Sequence, residues 1–234
     1  MELLSFGDQG WGDEMARAAL ITIAVSLSSM ALGLVVGTIG AAAKLSALAP
    51  ARWLAEGYTT VVRGVPELLV IYLLFFGGSG AVMFVASIFG YHGYVELNAF
   101  TIGTVAVGLI SGAYSTEVIR GAVQAVPGGQ IEAARAIGMP RPLMFRRITL
   151  PQVARFALPG LGNVWQLTLK DTALISVTGL VEIMRQAHVA AGSTREPFTF
   201  YVVAALLYML LSTFSNYGFQ RAEGWASRGV RRAS

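Results

Sequence analysis

The chain reads as an all-α integral membrane protein of about five transmembrane helices, with one polar insertion between the third and the fourth. Three observations predict this. Of 234 residues, 55 % are hydrophobic and 13 % charged, whereas soluble domains carry about 25 % charged residues. Uncharged runs recur at 18–43, 68–95, 97–116, 156–169 (continuing past a charged pair to 181) and 197–220, and about 20 apolar residues cross a bilayer. Basic residues gather in alternate connectors.

The first run, read as a span over 16–43, is longer than the apolar core of a signal peptide. It follows the acidic Asp8, Asp13 and Glu14 instead of a basic start, so it is expected to remain in the protein. It carries Gly33-x3-Gly37, and the third span carries Gly108-x3-Gly112. Small residues one turn apart let helices approach closely where lipid supplies no hydrophobic drive. Glycine abundance in an apolar chain is the competing explanation.

The second span is expected over 56–78, entered through a short amphipathic segment after Pro50, with Trp53 and Tyr58 near the interface. Gly77-Gly78-Ser79-Gly80 is expected to loosen or end it, leaving 81–95 as a periplasmic or interfacial excursion in which Tyr91, His92 and Tyr94 suit a wet edge. Arg63 and Glu67 are four apart and so share a helix face. Pro66 between them makes the helix irregular, and irregular backbone inside a membrane is tolerated where it is buried in protein or lines water. The pair is a candidate for the substrate pathway or for a structural pair at the cytoplasmic edge.

The third span, 97–119, ends with Glu117 and Arg120, read as a surface pair, and with Tyr114 one turn above Glu117, lining a pathway or packing. A polar segment, 121–152, follows. Pro127-Gly128-Gly129 stops the incoming helix, 130–137 restarts as a short helix ended by Gly138, and Pro140 and Pro142 turn the chain before a second short helix over 143–149. Five arginines lie between Gln130 and Arg155, which suits a docking knob better than a mere connector. Glu132 is either an acid favoured by the helix dipole or a partner contact.

The fourth span, 153–176, starts with Pro151 in its first turn, where proline forfeits no helical hydrogen bond. Asn163 and Gln166 share a face and suit hydrogen bonding to substrate or to a neighbouring helix. Lys170 and Asp171 stand about 27 Å up the helix and diverge by about 100°. A charge in the bilayer must be paired or face water, so Asp171 is placed toward a central cavity and Lys170 toward a partner within the subunit. The segment 176–186 is read as a periplasmic gate or an interfacial helix, expected to meet a delivery protein in the periplasm through Glu182 and Arg185. The fifth span is 198–220, and the whole of 1–234 is one domain.

The connectors also set the topology. Lys44 and Arg52 follow the first span, Arg120, Arg135, Arg141, Arg146, Arg147 and Arg155 follow the third, and Arg221, Arg228, Arg231 and Arg232 follow the fifth. Those ends are cytoplasmic by the positive-inside rule, with the amino terminus outside and the carboxyl terminus inside. The same placement accounts for the net charge of +4 without a nucleic-acid partner. No cysteine and two lone histidines, His92 and His188, make a metal site unexpected, and no phosphate-binding Gly-x4-Gly-Lys-Ser/Thr loop occurs.

Glu132-Ala133-Ala134, three residues, Gly138, nine residues, then Ile148-Thr149-Leu150-Pro151 resembles the cytoplasmic loop of permease subunits of bacterial ATP-binding-cassette (ABC) importers of type I. Arg63-Gly64-Val65-Pro66-Glu67, Gly112-Ala113-Tyr114 with Glu117 and Arg120, Ala157-Leu158-Pro159-Gly160 with Gly162-Asn163, and Leu169-Lys170-Asp171-Thr172 resemble the polar amino-acid branch in the same order. Arg-Gly-Val-Pro-Glu and Glu196-Pro197-Phe198 are nearest to permeases for histidine, lysine and arginine or for the opines octopine and nopaline.

The resemblance implies a bacterial inner-membrane permease that alternates access when a separate ATPase dimer, holding ATP and Mg, closes on the coupling loop. Glu132, Ala133, Ala134, Gly138, Arg146 and Arg147 would form that coupling surface. Arg63, Glu67, Tyr114, Asn163, Gln166, Lys170 and Asp171 would line the pathway. The implied partners are two ATPase copies, a second related permease, a periplasmic amino-acid-binding protein and the transported amino acid. The chain itself would bind no cofactor and do no covalent chemistry. A competing reading is an intramembrane serine protease, in which Gly77-Gly78-Ser79-Gly80 resembles the Gly-x-Ser-Gly of rhomboid proteases and His188 acts as base. No second motif supports it.

Overall fold

The computed structural model describes residues 2–7, 10–91 and 98–228, and every regular element in them is helical. His92, Tyr94, Arg231 and Arg232 lie outside the described residues. The helices are α1 (Gly12–Leu45), α2 (Ala49–Gly64), α3 (Glu67–Ile88), α4 (Ala99–Gln124), α5 (Gly128–Ala136), α6 (Arg141–Met144), α7 (Leu150–Asp171), α8 (Ile183–Thr194) and α9 (Pro197–Ala226). A π turn, Phe145–Thr149, joins α6 to α7, and a 3-10 turn, Thr172–Thr178, follows α7. The helices α1, α3, α4 and α9 are long and apolar enough to cross a membrane. The fifth long helix, α7, carries Arg155, Lys170 and Asp171 and packs among α1, α4 and α9.

The α1–α4 pair is the spine of the fold. Gly37 faces Ser115 so closely that a Cβ on it would stand 2.5 Å from the Ser115 Cβ, while Gly108 and Gly112 receive Leu32 and Val36 from the opposite helix. Both glycine pairs therefore belong to one interface, and close approach, not abundance, accounts for them. It brings polar groups together as well: Ser29 Oγ donates to the Thr104 carbonyl at 3.2 Å, and Ser111 Oγ to the Ser29 carbonyl at 3.3 Å. Around this spine, Val25, Ile71, Val107, Ile110 and Ile175 form a core shared by α1, α3, α4 and the 3-10 turn. Met15, Ile183, Ala187 and Phe200 tie α8 and α9 to the start of α1.

Three sequence expectations about helix continuity are corrected. The second span is two helices, because Val65 precedes a proline and adopts φ −108°, ψ 142°, the extended region to which such residues are confined. Gly77-Gly78-Ser79-Gly80 neither ends nor breaks α3, which runs on to Ile88. In an apolar setting an opened turn leaves backbone groups without partners, and that cost outweighs the weak helix propensity of glycine. The fourth span stops being α-helical at Asp171 and tightens into the 3-10 turn, closed at Gly179 with φ +91°.

The insertion follows its expected outline with one change. The second short helix starts at Arg141 and does not end at 149, since the π turn carries it directly into α7. Pro151 lacks an N–H and its ring crowds the carbonyl four residues earlier. The Leu150 N–H reaching back to the Phe145 carbonyl marks the wider turn that relieves this crowding.

Candidate functional site

The elbow between α4 and α7 is shaped by a helix end. The Gly138 N–H donates to the Arg135 carbonyl at 2.9 Å and the Met139 N–H to the Ala134 carbonyl at 3.0 Å, with Gly138 at φ +74°. This is the Schellman arrangement, and its left-handed residue favours glycine. At the base of the elbow the Gln152 side-chain amide donates to Gln130 Oε1 at 2.7 Å, pinning α5 to the first turn of α7. Glu132, Ala133, Gly138, Arg146 and Arg147 are exposed, as a docking surface requires, whereas Ala134 is only 3 % exposed and turns inward to seat α5. Sequence reading missed Ile137, which stands 77 % exposed at the tip. An apolar residue just ahead of a helix-ending glycine in an otherwise polar segment was the available signal.

A second polar group forms where α2 and α3 meet α4. The Tyr114 hydroxyl donates to Glu67 Oε1 at 3.2 Å. The Arg63 guanidinium lies 5.4 Å from the centre of the same ring, within cation–π range. The Asp171 carboxylate is close enough for its charge to act on both Tyr114 and Glu67. Three of the seven pathway candidates, Arg63, Glu67 and Tyr114, are thus in contact, with a fourth, Asp171, within electrostatic reach. Arg63 and Glu67 do not form the expected pair on one helix face. The break at Pro66 puts them on different helices, and both turn to Tyr114.

The other three go elsewhere. Gln166 donates to the Ser212 carbonyl of α9 at 3.2 Å, a bond between helices. Asn163 is exposed. Lys170 lines a cleft against Ala204 and Tyr208 of α9, and no carboxylate among the described residues lies within ion-pair distance of it.

Two charged networks were not legible beforehand. Lys44, its side chain 4 % exposed, bridges Glu117 at 2.5 Å and Glu56 at 2.7 Å, and Arg120 holds the other Glu117 oxygen through two bonds of 2.8 and 3.0 Å. Glu117 and Arg120 are therefore part of a four-member group joining α1, α2 and α4, not an isolated surface pair. Glu182 is fully buried, so it cannot meet a delivery protein as expected. It caps α8, accepting from the Met184 N–H at 3.0 Å, the Arg185 N–H at 2.7 Å and the Tyr208 hydroxyl at 2.7 Å. Burial pushes its carboxyl above the ordinary range, and those same three donors offset only part of that rise.

Among the described residues no nucleophile–base pair is assembled: Ser79 sits inside α3, and His188 Nδ1 is hydrogen-bonded to the Tyr201 hydroxyl at 3.2 Å.

Comparison with known proteins resolves the class of this arrangement. Residues 29–223 match the family described as binding-protein-dependent transport system inner membrane component. The chain belongs to that family. It is 58 % identical over 232 residues to the nopaline transport system permease protein NocQ of Agrobacterium fabrum, covering 99 % of this chain and 98 % of the relative. It is 42 % identical over 224 residues to the histidine/lysine/arginine/ornithine transport system permease protein HisQ of Escherichia coli K12, covering 96 % and 98 %. A solved structure described as an amino acid ABC transporter with histidines superposes with a TM-score of 0.77 at 30 % identity, over 92 % of this chain and 95 % of that one. The chain is an inner-membrane permease component of an ABC importer, a class that works with an ATPase and a substrate-binding protein.

Proposed function

We propose that this permease carries basic amino acids or opines. The observation that carries the reading is the Glu67 carboxylate held by Tyr114 at a helix break, with the Asp171 carboxyl within electrostatic reach. A guanidinium or ammonium passing there gains charge-assisted hydrogen bonds, which strengthen where water is sparse. Transporters place substrate at such interruptions. The names of the nopaline and histidine/lysine/arginine/ornithine relatives support a cationic substrate, since each of those compounds has a basic side group.

In this reading α7 is the fifth span beside α1, α3, α4 and α9, the amino terminus is periplasmic and the carboxyl terminus cytoplasmic. Two copies of an ATPase, which hold ATP and Mg and hydrolyse the nucleotide, dock on the elbow at 121–152, meeting Glu132, Ala133, Gly138, Arg146 and Arg147. A second, related permease completes the pore and a periplasmic amino-acid-binding protein delivers substrate.

The test is uptake of labelled arginine, histidine, octopine and nopaline by vesicles holding the full complex. Asp171→Asn and Glu67→Gln should each lower kcat/KM for the cationic substrate about tenfold, the scale of one hydrogen bond to a charged group. Wild-type uptake by both variants would remove the two carboxylates from the pathway.

A further inference from the structure

Beyond the end of α7, a cavity of about 320 Å³ and another of about 270 Å³ share Met184 and Tyr201 as walls. The first is apolar, walled by Ala173, Ala204 and Ala205, with Lys170 its charged member. The second is more polar than the first, with Ser176, Arg185 and His188 beside Val177. Arg185 and His188 are three residues apart on α8 and so project from one face. The His188 ring is steadied by its bond to the Tyr201 hydroxyl. No carboxylate among the described residues forms an ion pair with Lys170 or Arg185. Beside the cleft, α9 presents the exposed apolar side chains of Val202, Leu206 and Met209, a lipid-compatible face.

We propose that these two neighbouring cavities together form a binding site for an anionic phospholipid. The phosphate sits between Arg185 and His188, with Lys170 as the further cation, and the glycerol and first acyl carbons occupy the apolar part against Ala173, Ala204 and Ala205. Basic pockets between membrane helices bind anionic headgroups, and a charge within a membrane pairs with an opposite charge or faces water. A soluble carboxylate would satisfy the cations but leave the apolar half unfilled, and that asymmetry favours an amphiphile. The cleft lies at the end of α7 remote from the elbow.

Native mass spectrometry of the detergent-solubilised complex, titrated with phosphatidylglycerol or phosphatidylcholine of the same acyl chains, tests this. The wild-type protein should hold phosphatidylglycerol at least about fivefold more tightly, the factor contributed by one basic side chain near a membrane surface. Arg185→Gln should remove about fivefold of that preference, and Arg185→Lys should keep it. Equal affinity of the wild-type protein for the two lipids would overturn the proposal, and that comparison needs no variant to fold. Release of phosphatidylglycerol by millimolar inorganic phosphate would assign the cations to a soluble anion and overturn it as well. Because the readout is retained lipid, the result stands apart from which amino acid the permease carries.

Discussion

The Tyr114 hydroxyl donates to the Glu67 carboxylate at 3.2 Å while the Arg63 guanidinium lies over its ring, so one tyrosine on α4 joins the end of α2 to the start of α3. Tyr114 thereby fixes the geometry of the helix break and holds Glu67 beside the Asp171 charge. Tyr114→Phe keeps the ring and removes the donor. It should raise KM for a basic amino acid about tenfold, the loss expected from one hydrogen bond to a charged group, with little change in protein yield. Uptake kinetics in vesicles provide the check, and an unchanged KM would make the contact structural only.

The α1–α4 spine tolerates no side chain at Gly37. Gly37→Leu drives a branched chain into Ser115 and Thr116, and overpacking of this kind costs about 1–3 kcal/mol or more. A thermal melt of the purified chain in detergent should shift down by several degrees. The same substitution at Gly57, where a Cβ meets nothing within 4 Å, should leave the melt nearly unchanged.

Local features of the fold were readable in advance and distant pairings were not. The Gly138 helix end depends on residues adjacent in sequence, and the glycine spacing on α1 and α4 declares a close-packed face whatever the partner. Arg63 and Glu67 misled because i,i+4 spacing presumes one continuous helix, and Pro66 removes it. Lys44 and Glu117 are 73 positions apart, and only the register of α1 on α4 brings them together. Glu182 looked like a surface acid because its cap and its Tyr208 partner come from different elements. Gly77 to Gly80 looked like a break because glycine penalties are gauged in water, while an apolar solvent reverses the balance.

The Lys44 network predicts unequal partners. Lys44→Met leaves Glu117 half-buried with Arg120 alone, and breaking a buried pair from one side costs about 3–5 kcal/mol at its upper end. Glu56, 66 % exposed, contributes at most about 1 kcal/mol. Thermal melts should therefore show a large loss for Lys44→Met and a small one for Glu56→Ala. Equal losses would mean that the α2 arm matters as much as the α1–α4 arm.

At the opposite end of the molecule, Glu182→Ala strips three donors of their acceptor at once. Loss of the helix cap alone costs about 1 kcal/mol, and each buried donor left unbonded adds about 1–3 kcal/mol. Hydrogen exchange should show the Met184 and Arg185 amides losing protection, with α8 opening before α1. Protection equal to the wild type would place the capping role elsewhere.

The account rests most heavily on the elbow as the surface that receives ATPase movement, and Ile137 offers the sharpest probe because it is too exposed to matter for folding. An exposed substitution changes stability by about 0.5 kcal/mol or less, so Ile137→Asp should leave the melt of the isolated permease intact. Copurification of the ATPase with the Ile137→Asp permease, measured together with ATP-driven uptake, is the direct measurement. The account predicts loss of the ATPase from the complex and of uptake with it; full copurification and wild-type uptake would contradict it.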